Sequence, residues 1–283
     1  MLKLEEMKKY FTIVILFALV GLLSGCAGEF NKVFKSSDFD YRYEYAKQCF
    51  AQGQYGRAES LLIDLISYKK RSEDAQESLY MLAMSQYMNK DFESASNTFK
   101  KYFTSYPKGQ FAENALFYVG QSLYESAPEP RLDQTPTIGA INAYQQFLDF
   151  FPDSKLRPKA QRRLFDLQDK LVQKELLSAQ LYYNLGGYFG NVNSGNESNY
   201  ISSIITAQNA LKTYPYSNYR ESFALLIMKS KFQLAENSSE DKRLERYRDA
   251  EDECYGFINE YPESKDVATA EKYIAKCKKV IGD

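Results

Sequence analysis

Apolar residues recur along most of the chain with the spacing of amphipathic helices. Leucine and phenylalanine fall at i, i+3 and i+4, the pattern with which a helix buries one face. An aromatic residue followed by proline interrupts the pattern four times, at Pro107, Pro152, Pro215 and Pro262. Proline cannot continue a helix, because it lacks the backbone N–H and its ring clashes with the preceding turn. The chain is therefore predicted to be a series of helices, several of which end at these prolines.

Two stretches of the chain repeat the same order of residue types, at residues 104–127 and 212–235. Each has an aromatic residue before proline, a short turn, a second aromatic residue, a glutamate and an apolar helix that ends in alanine. The segment before Pro107 adds Ala83 and Ala95, where small side chains would let two helix backbones approach closely. This pattern resembles the tetratricopeptide repeat, a pair of antiparallel helices closed by a proline.

The repeats predict an all-α fold. About five tetratricopeptide-like helix pairs are expected to stack into a right-handed superhelical solenoid, because no pair can bury its apolar face alone. A helix over residues 266–281 would cap the stack. We expect N-terminal repeats over residues 37–152 and C-terminal repeats with the capping helix over residues 153–283. An irregular stretch over residues 152–174 is expected to join the two halves.

Residues 1–25 have the layout of a secretory signal peptide. Two lysines precede an apolar run from Phe11 to Leu23, which is shorter than the roughly 20 residues of a membrane-spanning helix. The sequence Leu-Ser-Gly before Cys26 resembles a bacterial lipobox, whose cysteine is acylated and becomes the first residue of the mature protein. An ordinary signal peptide with an incidental cysteine is the alternative, and either Met1 or Met7 could be the true start.

Cys26 is thus the predicted lipidation site, and residues 26–36 are the predicted lipidated linker. The residues that follow, Ala-Gly-Glu, lack the aspartate that retains many lipoproteins in the inner membrane. They also lack the acidic run that directs some lipoproteins to the cell exterior. We therefore expect a lipid anchor at the periplasmic face of the outer membrane of a Gram-negative bacterium.

The composition excludes several kinds of chemistry. The chain has no histidine, which excludes histidine-based catalytic triads and histidine-ligated metals. Lysine and arginine number 36 against 37 acidic residues, so no basic face indicates a nucleic-acid partner. Acidic clusters at Glu73-Asp74 and residues 251–253 are expected to precede or begin helices, where they would complement the helix dipole rather than catalyse a reaction. We expect no catalytic residue, no metal and no cofactor, and hence no enzyme.

Three cysteines follow Cys26, at Cys49, Cys254 and Cys277, and their spacing matches neither a CxxC motif nor a zinc site. Cys254 and Cys277 could pair in an oxidising periplasm. Each also falls on an apolar helical stripe, where cysteine commonly serves as a small core residue. Both interpretations stay open from the sequence.

Four phrases carry a more specific resemblance over nearly the whole mature chain: FAENALFYVGQSLYESA, YQQFLDFFPDS, YPYSNYRESFALLIMKSKFQLAENS and FINEYPESK. With the lipobox and the repeats, they resemble the BamD family of lipoproteins in the β-barrel assembly (BAM) complex. The resemblance implies a non-catalytic scaffold beside BamA and other BAM subunits. Its first half would bind C-terminal segments of unfolded outer-membrane proteins, and its second half would dock BamA. The long loop over residues 186–200 departs from the family pattern.

Transferring the register of the best-matching repeat to its neighbours predicts a peptide-binding groove. Its positions are Tyr43, Lys47, Tyr80, Met84, Phe117 and Gln121. One of the six is charged, whereas tetratricopeptide domains that grip a terminal carboxylate carry a clamp of lysine, arginine and asparagine. Aromatic rings and methionine favour an apolar segment with an aromatic residue, such as the last strand of a barrel protein. The alternative is that these side chains pack between repeats.

Two other functional classes remain open from the sequence. A different periplasmic repeat adaptor, such as a cell-division or peptidoglycan-associated scaffold, would share the repeats but would more often lack an acylated cysteine. An enzyme could carry its site in the inserted loops, although the absence of histidine argues against it.

Overall fold

The structure is a computed structural model that describes residues 28–69, 74–186 and 198–282. Within these ranges the chain forms twelve helices and no strand, which confirms the predicted all-α class. Residues 28–34 are helical and are labelled α1. The others are α2 (Phe39–Ala51), α3 (Tyr55–Lys69), α4 (Ala75–Met88), α5 (Phe92–Ser105), α6 (Ala112–Ser126), α7 (Thr135–Phe150), α8 (Arg157–Leu185), α9 (Asn199–Thr213), α10 (Arg220–Glu236), α11 (Glu240–Glu260) and α12 (Val267–Ile281).

The chain divides into two compact units. Unit 1 contains the chain up to Ser126 together with Gly139–Gln161, and unit 2 contains Ala127–Ile138 and Arg162–Asp283. Unit 1 packs each helix from α2 to α6 against the next one along the chain. In unit 2 the same consecutive packing runs from α9 to α12. Of the helix pairs predicted from sequence, α2–α3, α4–α5 and α10–α11 are thus packed pairs in the structure.

Small residues lie where the helices of a pair cross, as the repeat pattern predicts. Ala46, Ala58, Ala83 and Ala95 are all fully buried in unit 1. In unit 2, the hydroxyl of Ser203 on α9 donates to the carbonyl oxygen of Ala179 on α8 at 2.9 Å. Alanine and serine at the crossings therefore allow the helix backbones to approach each other closely.

The turns inside the first two pairs share one backbone feature. Gly53, between α2 and α3, has φ of +74°, and Lys90, at the equivalent position between α4 and α5, has φ of +65°. Each lies five residues before the alanine at the crossing, Ala58 or Ala95. The left-handed conformation suits glycine and strains lysine.

The structure corrects the prediction of an irregular stretch over residues 152–174. These residues are helical from Arg157 onward, within the 29-residue helix α8. Pro158 lies in the first turn, where its missing N–H has no helical partner to lose. Beyond it the sequence consists of strong helix formers without glycine or proline. One of the points where the chain passes from unit 1 to unit 2 lies within this helix, between Gln161 and Arg162, and the predicted functional division at residue 152 stays a prediction.

The predicted linker over residues 26–36 is also more ordered than the sequence suggests. Its residues 28–34 form α1, and Val33 is fully buried in the core of the first helix pair. The capping helix agrees closely with its prediction, since α12 runs from Val267 to Ile281 and buries Ala270, Ile274 and Cys277. The hand of the predicted superhelix stays a prediction.

Candidate functional site

The six predicted groove residues lie on α2, α4 and α6, the first helices of the three pairs in unit 1. Their exposure differs. Tyr43, Phe117 and Gln121 are 2%, 1% and 3% exposed, whereas Lys47, Tyr80 and Met84 are partly exposed. Only the second three are accessible to a ligand in this structure.

Tyr43 joins the first pair to the second. Its hydroxyl donates to Oε2 of Glu77 on α4 at 3.0 Å. The ammonium groups of Lys69 and Lys47 lie 4.8 and 4.9 Å from its ring centroid. Burial raises the pKa of Tyr43 well above its ordinary value, so the phenol stays neutral. Tyr43 therefore packs between repeats, which was the alternative interpretation of this position.

Phe117 and Gln121 belong to the core of the third pair. The ring of Phe117 packs edge-to-face against Phe147 at 5.4 Å and against Tyr144 at 5.7 Å. The hydroxyl of Tyr144 donates to Oε1 of Gln121 at 3.0 Å, and Nε2 of Gln121 donates to Glu125 at 2.7 Å. Both side chains are therefore buried in the helix pair in this structure, and a role for them in peptide binding stays a prediction.

Tyr80 contacts a residue that lines an open pocket, which the groove prediction did not include. Its ring stacks on Phe111 with centroids 4.4 Å apart and planes 12° apart. Phe111 in turn lines a cavity of about 520 Å³, which we call the 76–111 pocket. The lining residues are Gln76, Glu77, Lys108, Gly109, Gln110 and Phe111.

Tyr102 holds the two sides of the 76–111 pocket together. Its hydroxyl accepts the backbone N–H of Phe111 at 3.2 Å and donates to Oε1 of Gln76 at 3.3 Å. Gly109 makes the approach possible, because a Cβ there would meet Oε1 of Gln76 at 2.5 Å and the Tyr102 hydroxyl at 2.7 Å. The turn after α5 is thereby fixed against the start of α4.

The lining of the 76–111 pocket is mostly polar and contains one aromatic ring, that of Phe111, which is stacked on Tyr80. Burial raises the pKa of Tyr80 to about 12, so its ring is neutral at physiological pH. Glu77 and Lys108 supply one charge of each sign, and Gln76 and Gln110 supply amide donors and acceptors. Such a lining can hold an extended peptide, with a ring against Phe111 and its main chain against the polar side chains.

Sequence reasoning missed residues 108–111 because it used the turn after Pro107 only to end a helix. A signal was present, since both repeated stretches place an aromatic residue four positions after their proline, at Phe111 and Tyr219. An aromatic residue at a fixed place in a turn indicates a contact with the neighbouring helix.

Unit 2 has a pocket of its own on α8, with a volume of about 460 Å³. Its lining residues are Arg131, Lys174, Leu177, Ser178, Gln180, Leu181 and Asn184, and we call it the α8 pocket. The inserted segment before α7 is held to α8 by Lys170 and Lys174, whose ammonium groups donate to the carbonyl oxygens of Ala127 and Leu132 at 3.1 and 3.3 Å. Leu132 and Leu181 are more than half exposed beside it.

The cysteines that the structure describes are free and buried. Burial raises the pKa of Cys254 to about 12 and that of Cys277 to about 11, so both are neutral core thiols rather than a disulfide. In residues 28–69, 74–186 and 198–282, no group of three or more Cys, Asp or Glu side chains could hold a metal ion. Among the helices described there, none has both the length and the apolarity to cross a membrane. Cys26 and Glu73 lie outside the described residues.

Residues 37–198 match the YfiO family, whose description is outer membrane lipoprotein. The match covers more than half of the chain, from the start of the first helix pair to the end of α8. The chain belongs to the YfiO/BamD family. This membership confirms the resemblance stated from the sequence. The matched part of the YfiO/BamD chain contains both the 76–111 pocket and the α8 pocket.

Two relatives of this YfiO/BamD chain carry more specific names. The "Putative outer membrane protein assembly factor BamD" of Aquifex aeolicus is 29% identical over 174 residues, which are 59% of this chain and 56% of that protein. The "Outer membrane protein assembly factor BamD" of Caulobacter vibrioides is 20% identical over 167 residues, which are 58% and 55% of the two proteins. The chain thus spans just over half the length of these curated relatives.

Proposed function

We propose that this protein is a non-catalytic scaffold of the BAM complex, anchored by lipid at the periplasmic face of the outer membrane. It binds unfolded outer-membrane proteins through its N-terminal repeats, residues 37–152, and BamA through its C-terminal repeats, residues 153–283. The family match over residues 37–198 is the observation that carries this proposal. The two relatives named as outer membrane protein assembly factors support it. Acylation of Cys26 supplies the anchor.

The 76–111 pocket is the proposed site for the C-terminal segment of an unfolded barrel protein. Such a segment alternates apolar residues and ends in an aromatic side chain, which would stack against the aromatic pair of Tyr80 and Phe111. Its main-chain groups would pair with the amides of Gln76 and Gln110, and Lys108 would face its terminal carboxylate. Aromatic contacts of this kind bury a large area at low ordering cost.

The α8 pocket is the proposed docking surface for BamA. Within residues 153–283, Leu181 presents exposed apolar surface there beside Lys174, and the inserted segment before α7 adds Arg131 and the exposed Leu132 to this surface from outside that range. An apolar centre with a polar, charged rim is the usual anatomy of a protein–protein interface. The two proposed sites lie in different units, so each can be disabled without changing the other.

Peptide binding tests the first site. A Tyr80→Ser variant should bind a peptide from the last strand of a barrel protein at least tenfold more weakly, because Phe111 in the pocket lining loses the ring stacked on it. Tyr68→Ser is the matched control, since Tyr68 is also a stacked tyrosine of unit 1, with its ring 4.1 Å from Phe39. Equal affinities for wild type and a folded Tyr80→Ser protein would place the peptide site elsewhere.

Affinity purification from membranes tests the second site. The Leu181→Glu protein should lose a co-purifying barrel protein that the wild type retains, because a charge would be buried at the interface. Leu244→Glu, at a half-exposed leucine on α11, is the matched control. Retention of the barrel protein by the Leu181→Glu variant would contradict docking at the α8 pocket.

A further inference from the structure

Helix α1 is fixed to the first helix pair rather than free to swing. Val33 is fully buried in a cluster with Tyr43, Ala46 and Leu61. On the flanks of the helix, the guanidinium of Arg42 lies 5.5 Å from the ring centroid of Phe34, and that of Arg57 lies 5.5 Å from the centroid of Phe30. Because both cations belong to the pair α2–α3, α1 moves with unit 1 as one body.

The predicted lipid anchor is very close to this helix. Cys26 precedes the helical residue Gly28 by two positions, and two residues span at most about 7 Å. From Gly28 to Phe34 the helix advances about 9 Å. The Cα of Phe34 is therefore within roughly 16 Å of the Cα of Cys26, even with the intervening residues fully extended. The polar layer of a bilayer is itself about 5–8 Å deep on each side.

The outer face of α1 has the chemistry of a membrane-surface helix. Lys32 on α1 and Lys35, one residue beyond its end, are both exposed, and among the described residues no ion pair of either lysine with a carboxylate is found. Phe34, on the flank of the helix where its ring also contacts Phe30 and Arg42, is 39% exposed. The helix itself carries one lysine and one carboxylate, Lys32 and Glu29, and Lys35 adds a second positive charge directly after its end. Lysines flanking an exposed aromatic ring are attracted to anionic head groups and to the boundary with the acyl chains.

We propose that residues 28–35 lie in the head-group layer of the membrane that carries the anchor, with Lys32 and Lys35 toward the anionic head groups and the exposed part of the Phe34 ring at the edge of the contact. Unit 1 is then held directly at the bilayer surface instead of on a flexible tether. This inference rests on the proposed acylation of Cys26. Its partner is the anionic phospholipid surface, because a two-residue connection leaves no length for an intervening protein domain.

Tryptophan fluorescence tests the contact, since the chain contains no tryptophan. The acylated full-length Phe34→Trp protein is reconstituted into vesicles of phosphatidylethanolamine and phosphatidylglycerol, with or without brominated acyl chains. Its emission should fall by about half with brominated lipid, as for a residue at the acyl boundary. The control is Tyr216→Trp, at a residue of unit 2 that is 94% exposed, and its emission should not change.

Flotation of the vesicles distinguishes the proposed membrane contact from the proposed lipid anchor. A Phe34→Trp protein that floats with the vesicles but keeps full emission overturns the inference and leaves the anchor intact. A protein that does not float overturns both. Adding Lys32→Glu and Lys35→Glu to the Phe34→Trp protein should reduce the quenching at least twofold, because two attractive charges become repulsive. Unchanged quenching in that variant would contradict the electrostatic part of the contact.

Discussion

Gly120 gives the sharpest test of how the helix pairs pack. It lies on α6 opposite α7, and a Cβ built there would meet Cδ1 of Tyr144 at 2.9 Å and Cε1 at 3.0 Å. The ring of Tyr144 is fully buried, it packs against Phe117, and its hydroxyl donates to Gln121. Because the ring is held on several sides, it has little room to move away from a new methyl group.

Two opposing effects determine how Gly120→Ala changes the free energy of unfolding. Alanine is favoured over glycine in a helix interior by about 1 kcal/mol. Overpacking a well-packed core typically costs about 1–3 kcal/mol. The net result is a loss of roughly 0–2 kcal/mol in the free energy of unfolding.

Gly139 supplies a matched control in the same unit. It lies on α7, and a Cβ there would contact Cδ1 of Leu123 at 3.5 Å, an ordinary van der Waals distance. Gly139→Ala should therefore gain the helix preference of alanine without a steric clash. Its free energy of unfolding should rise by about 1 kcal/mol. The two variants should differ by about 1–3 kcal/mol, which is roughly 0.5–1.5 M in the urea midpoint for a slope near 2 kcal/mol per M.

Urea unfolding followed by circular dichroism measures this difference. Hydrogen exchange of peptides covering residues 112–126 and 139–150 assigns it to α6 and α7. If Gly120→Ala were stabilised as much as Gly139→Ala, the Tyr144 ring would not hold the place that the structure gives it, and the close crossing of α6 and α7 would be refuted.

Three further predictions concern the turns, the acid stability and the anchor. Gly53→Ala should lower the free energy of unfolding by about 1–2 kcal/mol in urea titration, and Lys90→Gly should change it in the opposite direction, because both positions are left-handed. Hydrogen bonds from Lys276 and Tyr247 lower the pKa of Glu236, so its stabilisation is complete above its ordinary pKa and lost as the pH falls through the lowered value. The Tm of Glu236→Gln should accordingly fall less than that of wild type between about pH 5 and 3. An equal fall would contradict stabilisation by the Glu236 carboxylate. Cys26→Ala should abolish labelling by radioactive palmitate, and the protein should no longer be found in the outer-membrane fraction. Persistent labelling would place the lipid on another residue.

Sequence patterns predicted the helix pairs well because their determinants are local. Proline at helix ends and alanine at crossings act within one pair, and Ala83 and Ala95 are buried as expected. The helix α8 was missed because its apolar positions are sparse among charged residues, and Pro158 indicates a break unless it is known to lie in a first turn. The burial of Val33 could not be predicted from the sequence either, because it depends on contacts with α2 and α3 rather than on the residues next to Val33 in the chain.

The candidate site was less predictable than the fold. The repeat register placed Tyr80 and Phe117 at equivalent positions, yet Tyr80 is partly exposed and stacks on a residue that lines an open pocket, whereas Phe117 is enclosed. The difference arises from the third pair, where Tyr144 and Phe147 enclose Phe117. Which aromatic side chain stays accessible therefore depends on the partner helix, and repeat spacing carries no information about that.

Depletion of the protein in the bacterium that produces it tests the central claim most directly. Newly made outer-membrane barrel proteins are pulse-labelled, and their folded fraction is measured by the change in electrophoretic mobility on heating. A scaffold for barrel assembly predicts that the folded fraction falls as the protein is depleted and recovers with the wild-type chain but not with the Tyr80→Ser chain. An unchanged folded fraction in fully depleted cells would contradict a role in barrel assembly.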